Sequence, residues 1–308
     1  YAADRAALKL AATLAVPLIF VLAAVVLVRG VMILTRKWFW KTGTPRVRHV
    51  LPTSCRQPRW LRDTAGVYLA LWIVLTAHFL IKSSIHLINP LVFDKWLWLY
   101  DRWLGFGHDP VLILLHILHF PWLLHGIDLV YSVLYPAVWA LYPPVFWLVL
   151  RTRRERLSFM LAFTLLWVAG LALYLLLPSW GPVFTRPDYF ETTLKYMPAT
   201  VHVQRVLYEG LKALVEHPYG PRTIRYGGVA AFPSLHLAVV TLFAAASRKV
   251  SRTWFSANLA LAGIMFVGSM LTGYHYLFDS LAGVLMGWLC FRLAFRWIAF
   301  HLPIRAGG

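Results

Sequence analysis

Gly227-Gly228-Val229-Ala230-Ala231-Phe232-Pro233-Ser234-Leu235-His236 opens the stretch from which the fold is read. Thr272-Gly273-Tyr274-His275-Tyr276-Leu277-Phe278-Asp279-Ser280-Leu281-Ala282-Gly283 closes it. Between them lie an apolar run, the basic punctuation Arg248-Lys249, and a second apolar run. A chain that crosses a membrane and returns over this stretch brings His236 and His275 to the same membrane face. Such a pair carries chemistry, because a neutral imidazole attacks phosphorus and an imidazolium protonates a departing oxygen. Asp279 follows His275 by four residues, so on a helix its carboxylate lies one turn away on the same face. A carboxylate placed there fixes the tautomer of a nucleophilic histidine.

Outward from this stretch the same alternation continues. The chain is 60% hydrophobic and 14% charged, which excludes an ordinary soluble domain. Apolar runs of roughly 18 residues or more recur, each long enough to cross a hydrocarbon core of about 30 Å. The formal charge of +18 does not point to nucleic acid, because the basic residues cluster in short segments between apolar runs. That is the positive-inside pattern of a membrane protein. Cys55 and Cys290 fall in a basic segment and in the last apolar run, and form neither a disulfide framework nor a metal site.

The runs predict seven spans. The first covers about residues 8–34, with Arg29 near its end and Arg36 and Lys37 after it, so it reads as a span and not as a cleavable leader. The basic segment up to Arg62 faces the cytoplasm, and a second span covers about residues 64–81. Residues 83–123 mix Asp94, Asp101 and Asp109 with Trp96, Trp98, Trp103 and Trp122, which reads as interfacial or re-entrant helices. His116 and His119 have metal-ligand spacing with His125 nearby, but they lack an acidic or cysteine partner, so no metal is expected. A third span covers about 126–150, with a kink expected at Pro143-Pro144 and with Asp128 at its outer end. The fourth runs to about Leu177. A long polar excursion, 179–231, then reads as an ordered cap on the outer side. The fifth begins near Pro233, the sixth covers about 254–271, and the seventh about 275–297. Every basic cluster then lies on one side, with the cap, His236 and His275 on the other.

The segments Ala231-Phe232-Pro233-Ser234-Leu235-His236 and Gly273-Tyr274-His275-Tyr276-Leu277-Phe278-Asp279-Ser280-Leu281-Ala282-Gly283 resemble the type 2 phosphatidic acid phosphatase superfamily. Within it they are most similar to the inositol phosphorylceramide synthase branch, as is Leu177-Pro178-Ser179-Trp180 ahead of the long loop. The resemblance spans about residues 120–295. It implies an all-α polytopic fold with a six-helix core, to which the first span (residues 1–62 with the basic segment) is an addition. Residues 63–308 then form the catalytic core, all within one membrane domain. It implies that His275 forms a phosphohistidine, that His236 protonates the departing oxygen, that Asp279 orients His275, and that Ser234 contacts the phosphate. Pro233 and Ser234 also suit a helix start, where free amides make an anion site. The sequence departs from the superfamily at two positions. Ser269 stands where the phosphatase pattern has an arginine, and Ser179 stands at the lysine position of a motif that ends here in Arg186-Pro187. Arg186, Arg222 and Arg225 are the candidates for meeting phosphate charge.

The expected activity is transfer of a phosphoryl-containing group from a membrane lipid to a lipid or polyol hydroxyl, at the non-cytoplasmic face. The donor is a phospholipid or a polyprenyl or sphingoid phosphate. A phosphatase with water as acceptor is the alternative. No cofactor, metal or nucleic-acid partner is expected. A transporter with a midplane site needs ionisable residues deep within the spans, and His78 is the main one.

Overall fold

A computed structural model of the chain describes residues 58–216 and 228–302. Among them every regular element is helical. The expected first span, most of the basic segment, Arg222 and Arg225 lie outside the described residues.

α1 (Pro58–Lys82) leads into three short helices, α2 (Ile85–Ile88), α3 (Asp94–Leu104) and α4 (Pro110–Ile117). α5 (Pro121–Val149) and α6 (Arg153–Leu176) follow. Then come α7 (Pro182–Thr185), a 3₁₀ turn (Pro187–Phe190), α8 (Glu191–Leu194) and α9 (Pro198–Glu216). The chain ends in α10 (Leu235–Ser247), α11 (Arg252–Leu271) and α12 (Leu277–His301). Residues 62–82 of α1 and all of α5, α6, α11 and α12 are long and apolar enough to cross a membrane. The protein is an all-α polytopic membrane protein.

α10 is the exception in length. Its 13 residues rise about 20 Å, short of the ~30 Å hydrocarbon core that the expected fifth span has to match. The helix packs against α6, α11 and α12 and is buried along most of its length, so protein and not lipid surrounds it. Small residues permit the closest of these contacts. A Cβ at Gly283 would collide with the Ser234 carbonyl oxygen, and one at Gly287 with that of Ala238. The two backbones therefore touch directly, as small residues allow between membrane helices.

The irregularity of α5 lies elsewhere than at Pro143-Pro144, which remain within regular helix (Tyr135–Val149). It is a π-helical turn at Leu129–Leu134, where the Tyr135 amide donates to the Val130 carbonyl. Pro136 has no N–H to return to Ser132, and its ring crowds that carbonyl in an α-helix. The wider turn removes the conflict.

At the end of the bundle away from the two histidines, Thr152 and Glu155 form a capping box that starts α6. Arg153 pairs there with Asp63 of α1. Asn258 of α11 donates to Ser247 of α10 at 2.9 Å. These contacts fix the helices lengthwise, and so fix what meets at the opposite end.

Candidate active site

The site forms where α10 starts and where α11 turns into α12. Ser234 caps α10: its hydroxyl oxygen accepts the Leu237 amide at 3.3 Å, and its own amide donates to the Asp279 carbonyl at 3.0 Å. The two sequence motifs are thereby tied backbone to backbone. His236 falls in the first turn of α10. His275 lies in the turn before α12, its amide bonded to the Ser269 carbonyl at 3.1 Å. α12 begins two residues after His275, so the pair with Asp279 closes across the helix start and not along an established helix.

Three side chains form a hydrogen-bonded series. His275 Nδ1 lies 3.3 Å from Asp279 Oδ2, and His275 Nε2 lies 3.2 Å from His236 Nδ1. With Asp279 ionised its carboxylate only accepts, and the His275 proton then sits on Nδ1. Nε2 then carries the lone pair and accepts from His236 Nδ1–H. Burial, followed by the charge of Lys82, pushes the His275 pKa well below the ordinary imidazole value, to about 3. The ring is therefore neutral at physiological pH. His236 stands between the rings of Tyr131 and Tyr135, with centroids 4.9 and 5.1 Å away.

Both histidines face a cavity of about 290 Å³. Its walls are largely aromatic and aliphatic, with Phe79 of α1, Trp139 of α5, Trp167 of α6 and Val203 and Leu207 of α9 among them. Lys82 is the one lysine or arginine among the described residues that line it. Such a cavity suits a molecule with a hydrocarbon part and one charged group.

Three aspartates build the frame. Asp94 of α3 accepts the amides of Trp180 and Gly181 at 2.8 and 2.7 Å, and the Tyr276 hydroxyl at 3.1 Å. Asp101, two helical turns on, accepts the amides of Leu277 and Phe278 at 2.8 and 2.7 Å. It thus supplies the cap that α12 lacks locally, at the helix end where negative charge is favoured. Burial raises both carboxyls, Asp101 to about 7, against the pull of the amides they accept. Asp128 of α5 does the same for α9, accepting the Ala199 and Thr200 amides and the Thr200 hydroxyl. His86 holds the cavity rim, bonded to the Val229 carbonyl and accepting from the Trp180 indole.

The structure brings His236, His275 and Asp279 together. Ser234 is fully buried as a helix cap and does not line the cavity. The Arg186 guanidinium stacks on the Trp98 ring, 4.2 Å from its centroid, and does not line the cavity either. Ser179 is buried, and its hydroxyl accepts the Phe232 amide. Ser269 bonds Ser280 at 3.0 Å. His119 bonds the His116 carbonyl, and no group of metal-binding side chains occurs among the described residues.

Sequence reasoning missed Lys82 and the capping work of Asp94, Asp101 and Asp128. A signal for two of them was present. Asp94, Leu97 and Asp101 share one face of a helix whose other face carries Trp96 and Trp103, and all three are buried.

No curated protein and no solved structure matches the chain. A sequence model of the PAP2 superfamily matches residues 95–293, which take in both histidine segments, the aspartates that frame them and the bundle that carries them. The chain therefore belongs to the PAP2 superfamily, as a membrane enzyme of the lipid phosphatase and phosphotransferase type.

Proposed function

We propose that the protein is a lipid phosphotransferase working through a phosphohistidine. It passes a phosphoryl-containing group from a lipid phosphoester to a lipid or polyol hydroxyl, as inositol phosphorylceramide synthases do. The observation that carries this reading is the series Asp279–His275–His236, which ends in a largely apolar cavity.

The His275 Nε2 lone pair forms the N–P bond as the P–O bond to the departing lipid alcohol breaks. That oxygen takes a proton from the His236 imidazolium. In the second half, the acceptor hydroxyl oxygen forms a new P–O bond, the N–P bond breaks, and the acceptor's proton returns to His236. Asp279 holds the His275 proton on Nδ1 throughout. Burial, followed by the neighbouring His275 and the Lys82 charge, opposes a cationic His236, and the arriving phosphate contributes the negative charge that offsets them. The faces of Tyr131 and Tyr135 favour the same cation. Ser234 keeps the helix start in place, and Arg222 and Arg225 remain candidates for binding a headgroup, whereas the Arg186 guanidinium is occupied on Trp98. The alternation of basic clusters in the sequence supports a site on the non-cytoplasmic face.

Transfer competes with water at roughly 55 M, and a positioned acceptor overcomes this because effective molarities reach about 10⁵ M or more. α9 supplies the means, since Val203 and Leu207 close one side of the cavity. The test uses purified protein and ³²P-labelled lipid phosphates and diesters, with and without alcohol acceptors. Wild type should form an acid-labile, alkali-stable phosphoenzyme that His275→Ala lacks, and product should move to the added alcohol. Release of inorganic phosphate alone, whatever the acceptor, would establish the phosphatase reading instead.

A further inference from the structure

Chemistry at a phosphoryl group needs positive charge against its non-bridging oxygens. The two positions at which the superfamily pattern carries a lysine and an arginine are Ser179 and Ser269, and both hydroxyls are engaged inside the protein. We propose that Lys82, the last residue of α1, supplies this charge, and that the phenols of Tyr131 and Tyr274 complete a subsite for a phosphate monoester or diester anion. The inference rests on the phosphoryl-transfer reading of the same cavity.

Lys82 lines the cavity together with His236 and His275. Its ammonium lies 5.3 Å from the centroid of the Tyr174 ring, itself part of the cavity wall. The end of α1 is fixed in place, because the Lys82 carbonyl abuts Gly228, where a Cβ has no room. Gly228, Val229 and Ala230 line the cavity beside it. Among the described residues no carboxylate pairs with Lys82. Removing an ammonium from water costs more than one aromatic face returns, and an anionic ligand offsets that cost. The charge also reaches the reacting ring, where it is the second cause, after burial, that lowers His275.

The phenols provide an independent observation. Tyr131 is 3% exposed. The hydroxyls of Tyr131 and Tyr274 are buried without a hydrogen-bond partner, although both residues line the cavity. Buried hydroxyls are ordinarily bonded, and phosphate oxygens accept from such donors. Lys82 also precedes residues 95–293, so this cation lies outside the stretch that matches the family.

The experiment compares wild type with Lys82→Met, Lys82→Arg and Tyr131→Phe in detergent micelles. One arm measures the rise in melting temperature on adding orthovanadate, a free phosphate-like anion. The other measures kcat and KM with a short-chain lipid phosphate. Lys82→Met should abolish the vanadate-induced rise and lower kcat/KM by roughly 10²-fold, the scale for losing one preorganised charge-stabilising group. Lys82→Arg should restore part of both, and Tyr131→Phe should weaken vanadate without unfolding the protein. Loss in the lipid arm alone would assign Lys82 to the lipid headgroup; that outcome supports binding of the esterified phosphate and overturns a free-anion subsite. A Lys82→Met protein with unchanged vanadate response and unchanged kinetics overturns the proposal, even if wild type forms phosphohistidine. If wild type cleaves no phosphoester, the catalytic reading fails, while a Lys82-dependent vanadate response still upholds the anion subsite. Should Lys82→Met fail to fold, loss of the vanadate response in Tyr131→Phe supports the subsite, and an unchanged response there overturns it.

Discussion

The Asp101 carboxylate accepts the amide of Leu277 at 2.8 Å, across 176 positions of chain. It thereby caps the helix that carries Asp279 from a short helix outside the bundle. The end of α3 and the start of α12 become a single unit, and the orientation of His275 depends on it.

Asp101→Ala should therefore act on the site through the frame. Losing a cap of this kind costs about 1–2 kcal/mol, and two backbone amides lose their acceptor at once. Thermal unfolding in detergent should shift downward and turnover should fall together with it. A variant with an unchanged melting point would show that α12 needs no cap.

Asp279→Asn should leave the melting point close to wild type while lowering turnover by roughly 10³–10⁴-fold. The asparagine amide is able to donate to Nδ1, which moves the ring proton to Nε2 and removes the attacking lone pair. Steady-state rates and phosphoenzyme yield measured on the same preparation check this, and near-normal yield would reject a tautomer role.

Gly283→Ala and Gly263→Ala form a matched pair. The first drives a Cβ into the Ser234 carbonyl, whereas nothing lies within 4 Å of a Cβ at the exposed Gly263. Overpacking costs about 1–3 kcal/mol, and here it also parts the two motif segments, so activity should fall further than stability. Gly263→Ala should be neutral or stabilising by about 0.5–1 kcal/mol. Equal behaviour of the two variants would contradict the close contact of α10 and α12.

The pH dependence follows from His275. Its folded pKa, near 3, lies below the ordinary value of about 6.5. Between these values the unfolded chain binds a proton that the folded chain refuses. Stability is thus fully present above the unfolded value and is lost as pH falls toward the folded one. His275→Gln should flatten this slope in melting temperature against pH, and an unaltered slope would assign it to other groups.

Asp128→Ala should loosen the start of α9 without touching His236, His275 or Asp279. If α9 keeps water from the intermediate, the share of product released by hydrolysis should rise several-fold against transfer to an added alcohol. A constant partition would leave α9 without that role.

The sequence made some of this legible and concealed the rest, for definite physical reasons. Membrane helices announce themselves through local hydropathy, and His275 and Asp279 are close enough in sequence for their pairing to be read directly. The partners of the capping aspartates are opaque because they are backbone amides, which have no sequence signature, at distances such as the 176 residues between Asp101 and Leu277. The sequence points to Pro143-Pro144 for the irregularity of α5, but the missing amide that matters is that of Pro136, beside Tyr131 and Ser132 on the cavity wall. Lys82 follows directly on the apolar run that ends at about residue 81, and nothing local distinguishes a lysine facing lipid headgroups from one facing a cavity. The short α10 was hidden by its apolar sequence, which marks burial equally well in protein and in lipid.

The touching backbones of α10 and α12 have a consequence for how such an enzyme changes. The gap between the helices is set by main-chain atoms at Ser234, Ala238, Gly283 and Gly287, so no rotamer change there widens or narrows it. The two imidazoles are in effect mounted on a fixed jig. The remaining walls meet the cavity through replaceable side chains such as Phe79, Trp139, Val203 and Leu207. Selection for a new lipid therefore has its freedom in those walls, and a library confined to them should yield altered substrate preference while the reaction itself stays the same.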